Sequence, residues 1–136
     1  MIAGWKWDHF SPEEVLSPDG LGKLKDGVLL IQTVLLDKLE LFRMFLEHPL
    51  LVNHAGLHYR GYRSPHENYE IVKGEKFSFH MQGLAADISC KECELTHLRE
   101  MAIKFGWHGV GYYPNNGFIH VDLRPRLTDR IAQWEK

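Results

Sequence analysis

Residues Trp107–Leu123 read WHGVGYYPNNGFIHVDL, two short runs separated by Pro114, Asn115, Asn116 and Gly117. Asn and Gly tolerate positive φ and proline presets a turn, so this centre predicts a hairpin with strands over 107–113 and 118–123. Side chains alternate across a strand. In the second strand Ile119, Val121 and Leu123 therefore share one face, and Phe118, His120 and Asp122 share the other.

The same alternation appears upstream in Leu84–Ser89, where Ala86 and Ile88 point one way and Asp87 and Ser89 the other. Between the two lies an amphipathic helix over Glu94–Phe105, with Leu95, Leu98, Met101, Ala102 and Phe105 as its apolar stripe and Gly106 as its stop. The strongest helical period runs from Gly27 to Glu47 and ends before Pro49. Leu50–Tyr59 alternates loosely, which predicts a strand leading into a loop at Gly61. Ser64 and Pro65 restart helix through about Val72, and Lys73–Gln82 reads as loop. Within the first 26 residues the SPEE at Ser11–Glu14 predicts one short helix. With no repeat or linker, the order predicts a single α+β domain over residues 1–136, helices packed on a small, mainly antiparallel sheet.

Composition narrows the function classes. A chain of 136 residues with 44% hydrophobic and 25% charged residues suits one core rather than two. Its 16 basic against 18 acidic residues leave a net charge of −2, so no cationic field exists to hold nucleic acid. The longest apolar-rich run, Val28–Leu36, is interrupted by Gln32 and Thr33 and is shorter than the roughly 18 to 20 residues a transmembrane helix needs. The opening MIAGWKWDHF has no apolar stretch or small-residue cleavage site, so synthesis in the cytoplasm without a signal peptide is expected. Cys90 and Cys93 are the only cysteines; they form no disulfide framework, and a CxxC without a second half reads as incidental residues at a helix start. Nine histidines raise the prospect of a metal or proton-transfer site.

Asp87 and His120 sit on separate strands, each opposite the apolar face, and both are metal-capable. His80 precedes Asp87 by seven residues across Gly83, and a glycine there lets the chain fold back so that both side chains meet one ion. The full string Ser78–Asp87, SFHMQGLAAD, fits SxHxxGxAxD at every specified position. It resembles the zinc D-Ala-D-Ala peptidase family, of the hedgehog/DD-peptidase fold. The likeness extends to GYRSP at Gly61–Pro65, to GVGYY at Gly109–Tyr113 and to GFIHVD at Gly117–Asp122, about residues 60–123 in all.

The resemblance implies that His80, Asp87 and His120 bind one zinc ion with a fourth position left for water, as catalytic zinc requires. The site's residual positive charge lowers the pKa of that water toward about 7. Arg63 is implied to hold a substrate carboxylate or steady the oxyanion, and Ser78 to support substrate or ligand by hydrogen bonding. The implied partner is peptidoglycan: an amide bond in stem peptides or cross-links, cut by a D-Ala-D-Ala carboxypeptidase or an endopeptidase. Where many relatives carry a basic Glu or His before the last ligand, this chain has Gly117 and Phe118. Asp122 is then either the general base or the residue that orients His120, with His108 in reserve. If none serves, the alternative is an inactive zinc-stabilised module that binds cell wall or peptide. A small domain of this kind without a signal fits a phage-type or prophage-type enzyme acting on the wall. Nothing in the sequence assigns an oligomeric state. Tyr112 and Tyr113 are candidate groove residues, most tryptophans read as core, and His9, His48, His54, His58, His66 and His97 match no ligand motif.

Overall fold

The computed structural model describes residues 4–52, 59–126 and 128–136, and in it the expected hairpin forms the middle of a five-stranded sheet. The strands are β1 (Leu51–Val52), β2 (Ala85–Ser89), β3 (Gly109–Tyr113), β4 (Phe118–Asp122) and β5 (Ala132–Glu135), in the spatial order β1-β2-β4-β3-β5. Three pairings are antiparallel, and β5 joins the edge parallel to β3, so the sheet is mixed. The parallel edge was not anticipated, because a four-residue strand of half-buried, half-exposed residues carries little alternation. Of the strand expected over 50–59, the described residues include β1 (Leu51–Val52); residues 53–58 lie outside them.

Period-two alternation sorts the sheet's faces. Ala86 and Ile88 of β2 lie opposite Val121 and Ile119 of β4, all fully buried, and Val110 of β3 continues this apolar face. Against it pack α3 (Thr33–Leu46) and α4 (Leu95–Phe105), which bury Leu35, Leu36, Leu39, Phe42, Leu98 and Ala102. Phe42 is the pivot, with its ring 5.1 Å from Phe105 and 5.9 Å from Trp107.

The N-terminal third departs from expectation in two places. Instead of one helix it holds α1 (Pro12–Val15) and α2 (Pro18–Lys25), each opened by a capping serine and a proline. Helix α3 starts at Thr33 rather than Gly27, because the Gln32 N–H is taken by the Gly83 carbonyl at 2.9 Å. After Ser64–Pro65 the chain is helical as expected, though Glu67–Val72 winds as a π-helix, and Phe79–Gln82, expected as loop, is a 3₁₀ turn. The cysteines precede α4 rather than starting it: Cys90 and Cys93 flank the turn after β2 with Cα atoms 5.6 Å apart, and they are disulfide-bonded. Among the described residues no helix is long and apolar enough to cross a membrane.

Two contacts place the segment that leads into the site. Tyr62 N–H donates to the Val15 carbonyl at 2.8 Å and Ser17 N–H to the Tyr62 carbonyl at 3.1 Å. Glu67, 2% exposed, accepts from the Ser17 hydroxyl and from the backbone N–H of Asp19 and Ser64, which satisfies its buried carboxylate.

Truncation of the central ring, Phe42→Ala, is expected to destabilise the fold by about 3–5 kcal/mol in urea unfolding. Glu14 accepts the Val52 N–H at 2.9 Å, and burial pushes its pKa up. An acid whose folded pKa is raised adds stability below its unfolded value and loses it as pH rises through the folded one. Glu14→Gln keeps an acceptor without the charge, so its Tm relative to wild type is expected to be higher at pH 7 than at pH 4.

Candidate metal centre

Asp87 and His120 stand directly opposite each other in the antiparallel register of β2 and β4, on the face away from the helices. His80 arrives from the 3₁₀ turn, whose capping residue, Ser78, accepts the His80 N–H through its hydroxyl at 3.2 Å. Gly83 then turns the chain back with φ 69°, and a Cβ there would lie 2.4 Å from the Leu30 carbonyl. The fold-back that the glycine permitted in the sequence is thus the one the structure makes.

His80 Nδ1 lies 2.9 Å from the Gly61 carbonyl. A carbonyl only accepts, so Nδ1 carries the proton and Nε2 presents its lone pair, 3.3 Å from Asp87 Oδ1. His120 is oriented from the opposite nitrogen: Nε2 is 2.7 Å from Asp122 Oδ2, and Nδ1 is 3.1 Å from Asp87 Oδ1. One donor atom from each of His80, Asp87 and His120 lies within 4.8 Å of the others. The three residues are only 3%, 8% and 9% exposed.

Burial shapes the charge states here. Desolvation pushes the His80 pKa down, only partly offset by Asp87. Burial alone would raise the Asp87 carboxyl, but the charge of His80 and hydrogen bonds from His120 and His80 hold it well below the usual carboxylate range. Desolvation would lower His120 as well; hydrogen bonds to Asp122 and Asp87 outweigh it and raise its pKa. Two imidazole nitrogens and one carboxylate oxygen, with each ring held from behind, form a donor set that fits zinc.

The centre opens into a cleft of about 560 Å³. Arg63 forms one wall, 8% exposed, with Nη2 3.4 Å from the Ser78 hydroxyl and Nη1 3.5 Å from the Tyr59 carbonyl, while its buried Nε has no partner among the described residues. Tyr113 and Phe118 stack at 4.7 Å along another, and Tyr112, the other groove candidate, lies outside it under the Arg99 guanidinium.

Asp122 is fully buried and does not line the cleft; its carboxylate sits behind His120, on the ring nitrogen turned away from Asp87. Burial opposes ionisation, yet the hydrogen bonds from His120 and Arg124 hold it well below the usual range. His108 also lies outside the cleft, with Nδ1 2.8 Å from the Arg124 carbonyl. His54 and His58 fall outside the described residues.

Sequence reasoning did not single out every cleft residue, and two of those it passed over matter to the site. Arg124 follows Asp122 by two positions, and that period-two spacing was its available signal. Trp134 is one of the tryptophans of which most read as core; it reaches the cleft because β5 sets it opposite Gly111, a pairing no local pattern announces.

A family profile described as "Peptidoglycan L,D-endopeptidase MepK" matches residues 34–128. The MepK of Escherichia coli (strain K12), named peptidoglycan L,D-endopeptidase, is 36% identical over 69 residues, covering 48% of this chain and 38% of that protein. The probable MepK of Haemophilus influenzae is 40% identical over 53 residues, covering 39% of this chain and 28% of that protein. The chain thus spans well under half the length of the relatives it matches. No solved structure matches it.

Elemental analysis after dialysis against zinc is expected to find one zinc per wild-type chain, with His80→Ala, Asp87→Ala or His120→Ala each losing the metal while keeping the fold by circular dichroism.

Proposed function

The chain belongs to the peptidase family of the peptidoglycan L,D-endopeptidase MepK, and on that premise we propose that it is a zinc-dependent endopeptidase hydrolysing an amide bond in peptidoglycan stem peptides or cross-links. One observation carries the reading: His80, Asp87 and His120, from three separate segments, bring their donor atoms to one point at the floor of a cleft. The names of the relatives favour an endopeptidase over a carboxypeptidase. Its place of action is the cell wall, where that substrate lies.

A zinc ion held by these three residues supplies Lewis acidity and an acidified water nucleophile near neutral pH. The chain's own residues do the rest. Arg63 keeps its charge despite burial, and the long contacts of its Nη1 and Nη2 leave those donors for a substrate carboxylate or for the carbonyl oxygen on which charge develops. Ser78 holds both the His80 turn and the Arg63 guanidinium through one hydroxyl. Tyr113 and Phe118 offer flat apolar faces to a peptide. Of the two roles open to Asp122, orientation of His120 fits its position better than proton transfer, because the carboxylate is sealed from the cleft.

That position also favours a second reading, a zinc-stabilised module that binds wall peptides without turnover. Besides Asp87, the carboxylate lining the cleft among the described residues is Glu75, paired with Lys136 at 3.0 Å, and Gly117 and Phe118 carry no base. Zinc-loaded protein incubated with purified peptidoglycan is expected to release new muropeptides by mass spectrometry, and Arg63→Ala to slow their release by about 100-fold. Zinc retention without any released fragment would select the binding module.

A further inference from the structure

A fully buried carboxylate needs a partner, and Arg124 supplies Asp122 with one of unusual completeness. The Arg124 backbone N–H donates to Asp122 Oδ1 at 3.1 Å, Nε lies 2.9 and 3.1 Å from the two oxygens, and Nη2 donates to Oδ2 at 2.6 Å. Oδ2 is the oxygen that meets His120 Nε2. The guanidinium is itself held, with Cζ 5.0 Å from the Phe79 ring centroid and 4.8 Å from that of Trp134.

Strand β3 leaves room for this arrangement. Gly109 lies opposite Asp122 and Gly111 opposite His120. A Cβ at Gly109 would sit 2.5 Å from Asp122 Oδ1 and 2.6 Å from Arg124 Nε, and one at Gly111 would sit 2.5 Å from the Trp134 indole. Trp134 pairs with Gly111 across the parallel edge and donates its indole N–H to the Tyr113 hydroxyl at 2.9 Å. Both glycines and the edge strand therefore accommodate the same arginine and its supports.

We propose that Arg124 is a positioning residue of the metal centre: held against Phe79 and Trp134, it fixes the Asp122 carboxylate, which fixes the His120 ring with Nδ1 presented to the ion. The proposal rests on the metal-centre reading above. A two-point fork sets the plane of a carboxylate, whereas a lysine would contribute charge without that geometry. Without Arg124, Asp122 is a buried anion free to rotate away from His120, and the ring loses the contact that selects its ligating nitrogen.

The test is zinc affinity of the full chain, measured by competition with a chromophoric chelator. Arg124→Ala is expected to weaken zinc binding about 10- to 100-fold, and Arg124→Lys to recover part of the loss. Arg124→Ala added to Asp122→Ala is expected to weaken binding no further, because the arginine acts through that carboxylate. Unchanged affinity in a folded Arg124→Ala, or a full additional loss in the Asp122→Ala background, overturns the positioning role and leaves the metal centre standing. A wild-type chain that takes no zinc overturns both. If Arg124→Ala does not fold, Arg124→Lys decides: binding about tenfold weaker is expected, and wild-type affinity overturns the proposal.

Discussion

The pairing of Asp87 with His120 across β2 and β4 is the constraint on which the rest of the molecule depends. It is enforced from the other face of the sheet. Ala86 against Val121 and Ile88 against Ile119 are fully buried beneath α3 and α4, and a slip of one residue in either strand would turn its apolar pair outward and drive Asp87, or His120 and Asp122, into the core. The hydrophobic effect on one face thus sets a polar geometry on the other. His80 is then delivered to the pair by a single tight reversal at Gly83, packed so closely on Leu30 that no side chain fits.

Having concentrated ionisable groups in a buried place, the fold satisfies each of them. His80 has one ring nitrogen on a backbone carbonyl, His120 has one on a carboxylate, and that carboxylate lies in the fork of Arg124. Asp87 stays ionised because positive character surrounds it; a divalent cation held there would supply the same compensation at higher charge. Arg63, by contrast, lines the cleft with its side chain and retains a buried Nε that has no partner among the described residues.

Much of this was legible in the chain. The hairpin, β2 and α4 carry strong period and turn signals, and the string from Ser78 to Asp87 marked two candidate ligands with the spacing between them. The rest was hidden for physical reasons. Helix α3 begins late because a backbone hydrogen bond from Gln32 to Gly83, 51 positions away, competes with helix at its first turn. The parallel edge strand β5 has too few buried residues to announce itself, and its Trp134 meets the site only through pairing with Gly111. The Cys90–Cys93 link depends on a turn between β2 and α4 rather than on composition.

The sequence by itself determined which strand residues face away from the core and which of them are chemically capable of ligating a metal, because both follow from strand alternation and side-chain chemistry, which are local. Tertiary structure decided where each of them stands. Asp122 shares a strand face with His120 in either of its two roles; only the three-dimensional placement seals it from the cleft, behind the ring and in the grip of Arg124. A base and an orienting carboxylate differ in which side of an imidazole they occupy and in what solvent reaches them, and those are relations through space between residues that the chain brings together only when the sheet closes.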